Sequence, residues 1–178
     1  MFKVGILGLA RRAGTFAEVG LRSWEEAGCA AVERALMAAD NTPYVIHRPL
    51  VVRGVCADIE QILCDWCDVP NPDARCALIL TVGGTGFTRD DIMPEATTAV
   101  IERSLPGVCD LLRSHAPARL DDVSYDVSYL RGAAGLRGST LIINLPGPIR
   151  GVAAAEKLTE SVELLLPLLP AMLHAAQE

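Results

Sequence analysis

The stretch Leu78-Ile-Leu-Thr-Val-Gly83-Gly84-Thr85-Gly86-Phe-Thr-Arg-Asp90-Asp91-Ile-Met-Pro94-Glu95 reads as a buried strand, a glycine loop and a helix start. Ala77 to Val82 is a short apolar run rich in branched side chains. Such a run belongs inside a parallel sheet covered on both sides. Gly83, Gly84 and Gly86 remove side chains at the strand's end, and amide N–H groups freed at such a turn can ring an anionic oxygen. Phosphate is the natural ligand. Pro94, followed by Glu95, marks a first helical turn, because proline lacks the N–H that a helix start leaves unpaired. Asp90 and Asp91 stand between loop and helix, where a carboxylate can hold magnesium; Asp90 also suits a helix N-cap.

A second segment, Arg131-Gly-Ala-Ala-Gly135-Leu-Arg-Gly-Ser-Thr-Leu-Ile-Ile-Asn144-Leu-Pro146-Gly147, contains a strand from Ser139 to Leu145 and a proline-glycine turn. The two segments, in this order and separation, resemble the paired signature of the molybdenum-cofactor biosynthesis family, whose members include molybdopterin adenylyltransferases. The resemblance covers residues 77–151 well and the rest more loosely. It implies a site in which Gly83, Gly84, Thr85, Gly86, Arg131, Gly135, Asn144, Pro146 and Gly147 bind ligand and Asp91 is catalytic, binding Mg2+. It also implies ATP and molybdopterin as substrates, a homo-oligomer, most commonly a trimer, and contacts with other molybdenum-cofactor enzymes.

The remaining chain supports an α/β fold. Lys3 to Leu9 reads as a first strand, Leu21 to Ala39 as a helix, Tyr44 to Val52 as a second strand and Val55 to Trp66 as a second helix. Pro70-Asn-Pro-Asp is a connector. The helix opened at Pro94 is expected to run to Arg103 and to be broken by Pro106-Gly107, with a further short helix from Val108 to His115. His115 reads as a helix-end residue. Leu120 to Leu130 alternates apolar and polar residues with a period of two, the pattern of an exposed edge strand that can meet a neighbouring subunit. The expected architecture is one three-layer domain over residues 1–178, a mostly parallel sheet with helices on both faces. Ligands of such sheets bind beyond the carboxyl ends of the strands, from which both motifs start.

Length and charge narrow the function. At 178 residues the chain can bury a core without disulfides or structural metal. Its formal charge of -6, without a basic cluster, argues against nucleic acid. Any bound anion must therefore be captured locally by loop amides, helix N-termini, Arg131, Arg137 or magnesium. Val4 to Ala10 is too short to span a membrane, and the arginines that follow it are on the wrong side for a signal peptide. Of six cysteines only Cys64 and Cys67 form C-x-x-C, with no second pair for zinc. Buried free thiols, and so a reducing cytoplasmic setting, are the simplest reading; redox or metal chemistry is the other.

Three places depart from the family pattern. Ala10 and Arg11 replace a hydroxyl residue and an acid after the first strand, Leu130 replaces a serine before Arg131, and Gly54 stands where an acid usually enters the second helix. Asp58 lies one helical turn beyond Gly54 and is either a substitute or an ordinary first-turn acid. Two functions follow: magnesium- and ATP-dependent adenylylation of molybdopterin, or molybdopterin binding and assembly without competent metal chemistry.

Overall fold

The computed structural model describes residues 1–10, 18–39, 44–47, 49–52, 54–115, 130–147 and 153–178, with side chains at all of these except 18–25 and 153–157. The segment after Ala10 and the alternating stretch 120–129 lie outside the described residues.

The described chain follows the order β1 (Phe2–Leu9), α1 (Glu18–Met37), β2 (Tyr44–Ile46), β3 (Leu50–Val52), α2 (Cys56–Cys67), β4 (Leu78–Val82) and α3 (Met93–Val100). It continues through β5 (Arg103–Ser104), α4 (Pro106–His115), β6 (Ala134–Arg137), β7 (Thr140–Leu145), α5 (Ala153–Leu165) and α6 (Leu169–Ala175). The strands form one sheet in the order β2-β1-β4-β7-β6-β5, and β3 pairs with β1 on the same edge as β2. The pairs of β1 with β2, β3 and β4, and of β4 with β7, are parallel. Among the described residues, the antiparallel pairs are β5 with β6 and β6 with β7. This is the single α/β domain expected.

The period of two in the strands builds the layers. Val4 and Ile6 of β1, Leu78, Leu80 and Val82 of β4, and Leu141, Ile143 and Leu145 of β7 point to one face. There they pack against α1, α4, α5 and α6, through residues such as Val32, Leu112, Val162 and Leu173. Leu7, Ile79 and Ile142 point the other way, onto Ile59 and Leu63 of α2 and Met93 and Ala96 of α3. Each fully buried Leu or Ile contributes about 1.5–3 kcal/mol of transfer free energy. Two covered faces explain why β4 carries no surface-facing polar position.

Three local expectations change. The single strand Tyr44 to Val52 is two short strands, both on the β1 edge. The helix opened at Pro94 stops at Val100, because Ile101 is extended and the Glu102 and Leu105 amides donate to Leu136 O and Ala134 O at 2.8 Å. Ladder bonds to β6 thus override helical propensity there. Pro106 starts α4 instead of ending a helix, as its missing N–H permits. Among the described residues, no helix is long and apolar enough to cross a membrane.

Candidate functional site

β4 and β7 are paired in register, Thr81 opposite Asn144 and Val82 opposite Leu145, so the turns that follow them leave the sheet side by side. The chain after Val82 must turn at once. Gly83 (φ 85°) and Gly84 (φ 66°) supply left-handed conformations that favour glycine. Gly83 Cα lies so close to Gly147 that a Cβ on the latter would be 2.7 Å away. Gly83, Gly84, Thr85 and Gly86 are all buried, whereas residues 87–90 are exposed. A small cavity is lined by Thr85, Gly132, Asn144 and Pro146, side by side with Leu112 and Arg113 of α4. Residues far apart in sequence thus gather at the carboxyl edge.

Asp91 closes the loop. Its side chain is only 2% exposed, and Oδ2 accepts hydrogen bonds from Thr88 N (2.9 Å) and Thr88 Oγ1 (2.6 Å). The Thr-x-x-Asp spacing that makes this possible is legible in the sequence, although its partner Thr88 was not singled out there. Asp90 is exposed and is not the helix cap: the N-cap is Ile92, without a side-chain cap bond, and Met93 N donates to Gly84 O at 3.1 Å.

Arg131 is tied to the loop. Its backbone N donates to Thr85 O at 2.9 Å, Nε to Gly86 O at 2.6 Å and Nη2 to Asp91 O at 2.6 Å, while Nη1 pairs with Glu95. Asn144 is an internal lock. It is 2% exposed, its Nδ2 donates to the hydroxyls of Thr81 (2.9 Å) and Thr97 (2.7 Å), and its Oδ1 accepts from Ala133 N (3.0 Å). One amide therefore joins β4, β7, α3 and the chain between Arg131 and β6. Thr81 and Thr97 are invisible as partners in sequence because they lie 63 and 47 residues away.

Other expected residues are placed differently. Gly135 belongs to β6, opposite Ile142, and a Cβ there would lie 2.6 Å from Arg103 O, so its missing side chain serves packing against β5. Arg137 pairs with Thr140 at the start of β7, the end opposite Asn144. Its Nη2 meets Asp68 Oδ2 at 2.7 Å and its Nη1 donates to Val100 O at 3.1 Å, closing the end of α3. Hydrogen bonding to Arg137 holds the Asp68 carboxyl below its usual value. Arg137 is not part of the loop cluster.

Asp58 lies against Gly54. A Cβ at Gly54 would lie 2.8 Å from Asp58 Oδ2, so the Asp58 carboxylate fills the space beside residue 54. Asp58 also accepts from Val55 N at 3.2 Å at the start of α2. Asp58 thus sits as a first-turn helix acid whose carboxylate lies beside Gly54.

Among the described residues no group of three or more His, Cys, Asp or Glu side chains is gathered as a metal cluster. Magnesium commonly uses one or two carboxylates, with water and substrate phosphate completing its shell. Asp91, a hard oxygen donor oriented by Thr88, fits that use. The cysteines do not suggest a second chemistry. None of the six is joined in a disulfide; burial pushes the Cys67 thiol up to about 12 and also raises Cys64, leaving both protonated at neutral pH.

The chain is similar in sequence and in fold to proteins of molybdenum-cofactor synthesis. The molybdopterin adenylyltransferase of Escherichia coli K12 is 32% identical over 154 residues, spanning 84% of this chain and 69% of that one. The molybdopterin adenylyltransferase of Helicobacter pylori 26695 is 35% identical over 114 residues, 63% of this chain and 56% of that one. The solved structure of the molybdopterin biosynthesis enzyme MoaB from Thermus thermophilus superposes with a TM-score of 0.74 at 32% identity, covering 99% of this chain and 97% of that one. The family described as "Probable molybdopterin binding domain" matches residues 33–170, a span that holds the glycine loop, Arg131, Asn144 and Gly147. This chain belongs to that molybdopterin-binding family of molybdenum-cofactor biosynthesis proteins.

Proposed function

We propose that this protein transfers AMP from ATP to the terminal phosphate of molybdopterin. The observation that carries the reading is the contact of the two motif turns at Gly83 and Gly147, with the buried Asp91 against Gly86 of the same loop. A terminal phosphate oxygen of molybdopterin forms a bond to the α-phosphorus of ATP. The bond from that phosphorus to the β-phosphate bridging oxygen breaks, and pyrophosphate leaves with the electron pair.

Such chemistry is mainly positioning and charge neutralisation. The amides of Gly84, Thr85 and Gly86 hold phosphate oxygens, Thr85 offers its hydroxyl, and Arg131 adds positive charge at the rim. Asn144 keeps the ligand-facing turns in register, and Pro146 and Gly147 form the opposite wall. Asp91 holds Mg2+, with Asp58 as the second carboxylate at the sheet edge. When bound, the ion neutralises charge on the transferring phosphates. Gly135 contributes to ligand binding only by packing β6 in place.

A second reading has its own support: Arg11 and Leu130 stand where relatives by resemblance carry an acid and a serine. It makes the protein a binding or assembly factor that retains the molybdopterin cradle. The deciding measurement is magnesium-dependent pyrophosphate release from ATP with molybdopterin present. Turnover supports the enzyme; tight molybdopterin binding without pyrophosphate supports the assembly factor. The resemblance also supports a trimer in the cytoplasm, working beside other molybdenum-cofactor enzymes. Light scattering at micromolar concentration tests the trimer, and a monomeric mass would remove it.

A further inference from the structure

Resting on the proposed site, we infer that Glu95 is a positioning residue which, through Arg131, holds the loop from Gly86 to Asp91 in its anion-binding shape before ligand arrives.

Arg131 reaches both ends of the loop. Its backbone amide meets Thr85 O, Nε meets Gly86 O, Nη2 meets Asp91 O, and Nη1 meets Glu95 in the first turn of α3. A guanidinium is a planar fork whose donors have fixed relative directions, so engaging three of its nitrogens fixes the whole group. The consequence passes through the peptide planes. Within a trans peptide, C=O and the next N–H point oppositely. Holding the carbonyls of Gly86 and Asp91 toward Arg131 therefore sets the directions of the Phe87 and Ile92 amides.

Glu95 keeps this arrangement from being lost to a competing anion. Without a carboxylate partner, the Arg131 charge is free to leave two neutral carbonyls for a phosphate or chloride. The Glu95 and Arg131 side chains are 51% and 38% exposed, so the pair is worth little as a stabilising ion pair. Its value lies in orientation. A role confined to fold stability would move the melting temperature; a role in orientation moves loop protection and substrate affinity.

The test is hydrogen exchange on the ligand-free protein, followed by kinetics. Arg131→Met is expected to speed exchange of amides 86–92 about tenfold or more, and Glu95→Gln about two- to fivefold, with β4 and β7 amides unchanged. Glu95→Gln should raise KM for ATP or molybdopterin about three- to tenfold while kcat stays within about twofold, and Glu95→Asp should recover part of that loss. Unchanged loop exchange in both variants overturns the inference. So does loss of phosphate-ligand binding in Arg131→Met with loop protection intact, which would make Arg131 a direct ligand contact. Wild-type protein with neither turnover nor molybdopterin binding would remove the proposed function, while exchange would still decide the role of the pair.

Discussion

Gly147 packs on Gly83 so closely that a Cβ on Gly147 would sit 2.7 Å from the Gly83 Cα. Two turns separated by more than sixty residues thus share one backbone contact, made possible by the parallel register of β4 with β7. Gly147→Ala must push the turns apart. Overpacking of this kind costs about 1–3 kcal/mol, and the displaced glycine loop should weaken binding of ATP or molybdopterin. Calorimetric titration beside a thermal melt checks both; a variant with wild-type affinity would detach the contact from the site.

Asp91→Asn keeps the shape of the side chain and an oxygen that can accept from Thr88, but removes the charge. The expected result is a folded protein, destabilised by about 1 kcal/mol, whose magnesium-dependent transfer falls on the order of a hundredfold or more. Steady-state rates over a magnesium series measure it. Unchanged rate and magnesium dependence would leave Asp91 a loop-closing residue only.

The carboxylate beside Gly54 can be moved. Asp58→Ala is expected to lower magnesium affinity and rate together. Gly54→Asp in that background should restore part of both, since the new side chain enters the space the Asp58 carboxylate left. Gly54→Asp alone brings two like charges together and should not help. Equal rates in wild type, Asp58→Ala and the double variant would remove Asp58 from the site.

Asp68 gives a pH-dependent stability with a definite sign. Its pKa in the folded protein is lowered from 3.8, chiefly by hydrogen bonding to Arg137. A depressed carboxylate stabilises the fold at pH above its unfolded value, and that contribution is lost as pH falls through the folded value. Because the side chain is half exposed, Asp68→Asn should cost at most about 1 kcal/mol at neutral pH. Melts compared at pH 7 and in acid below the folded value should converge at the lower pH. A gap that persists in acid would assign the effect to something other than the charge.

How much of this was legible from residues alone follows the range of the interactions. β4, the glycine loop and the helix start at Pro94 are written locally, because burial on two faces, left-handed backbone and a missing N–H each restrict nearby residue types. The family signature likewise rests on residues close in sequence. What local chemistry could not supply was partnership over distance. The segment after Val100 satisfies a helical period, yet β6, about thirty residues on, claims its amides. Arg137 reads as one more cation near a motif until the antiparallel register of β6 carries it to the other end of β7. Asn144 is a motif residue in the sequence but a lock among Thr81, Thr97 and Ala133 in the fold. A residue's type limits which bonds it can make; which partner arrives is decided when sheet register and helix packing bring distant groups together.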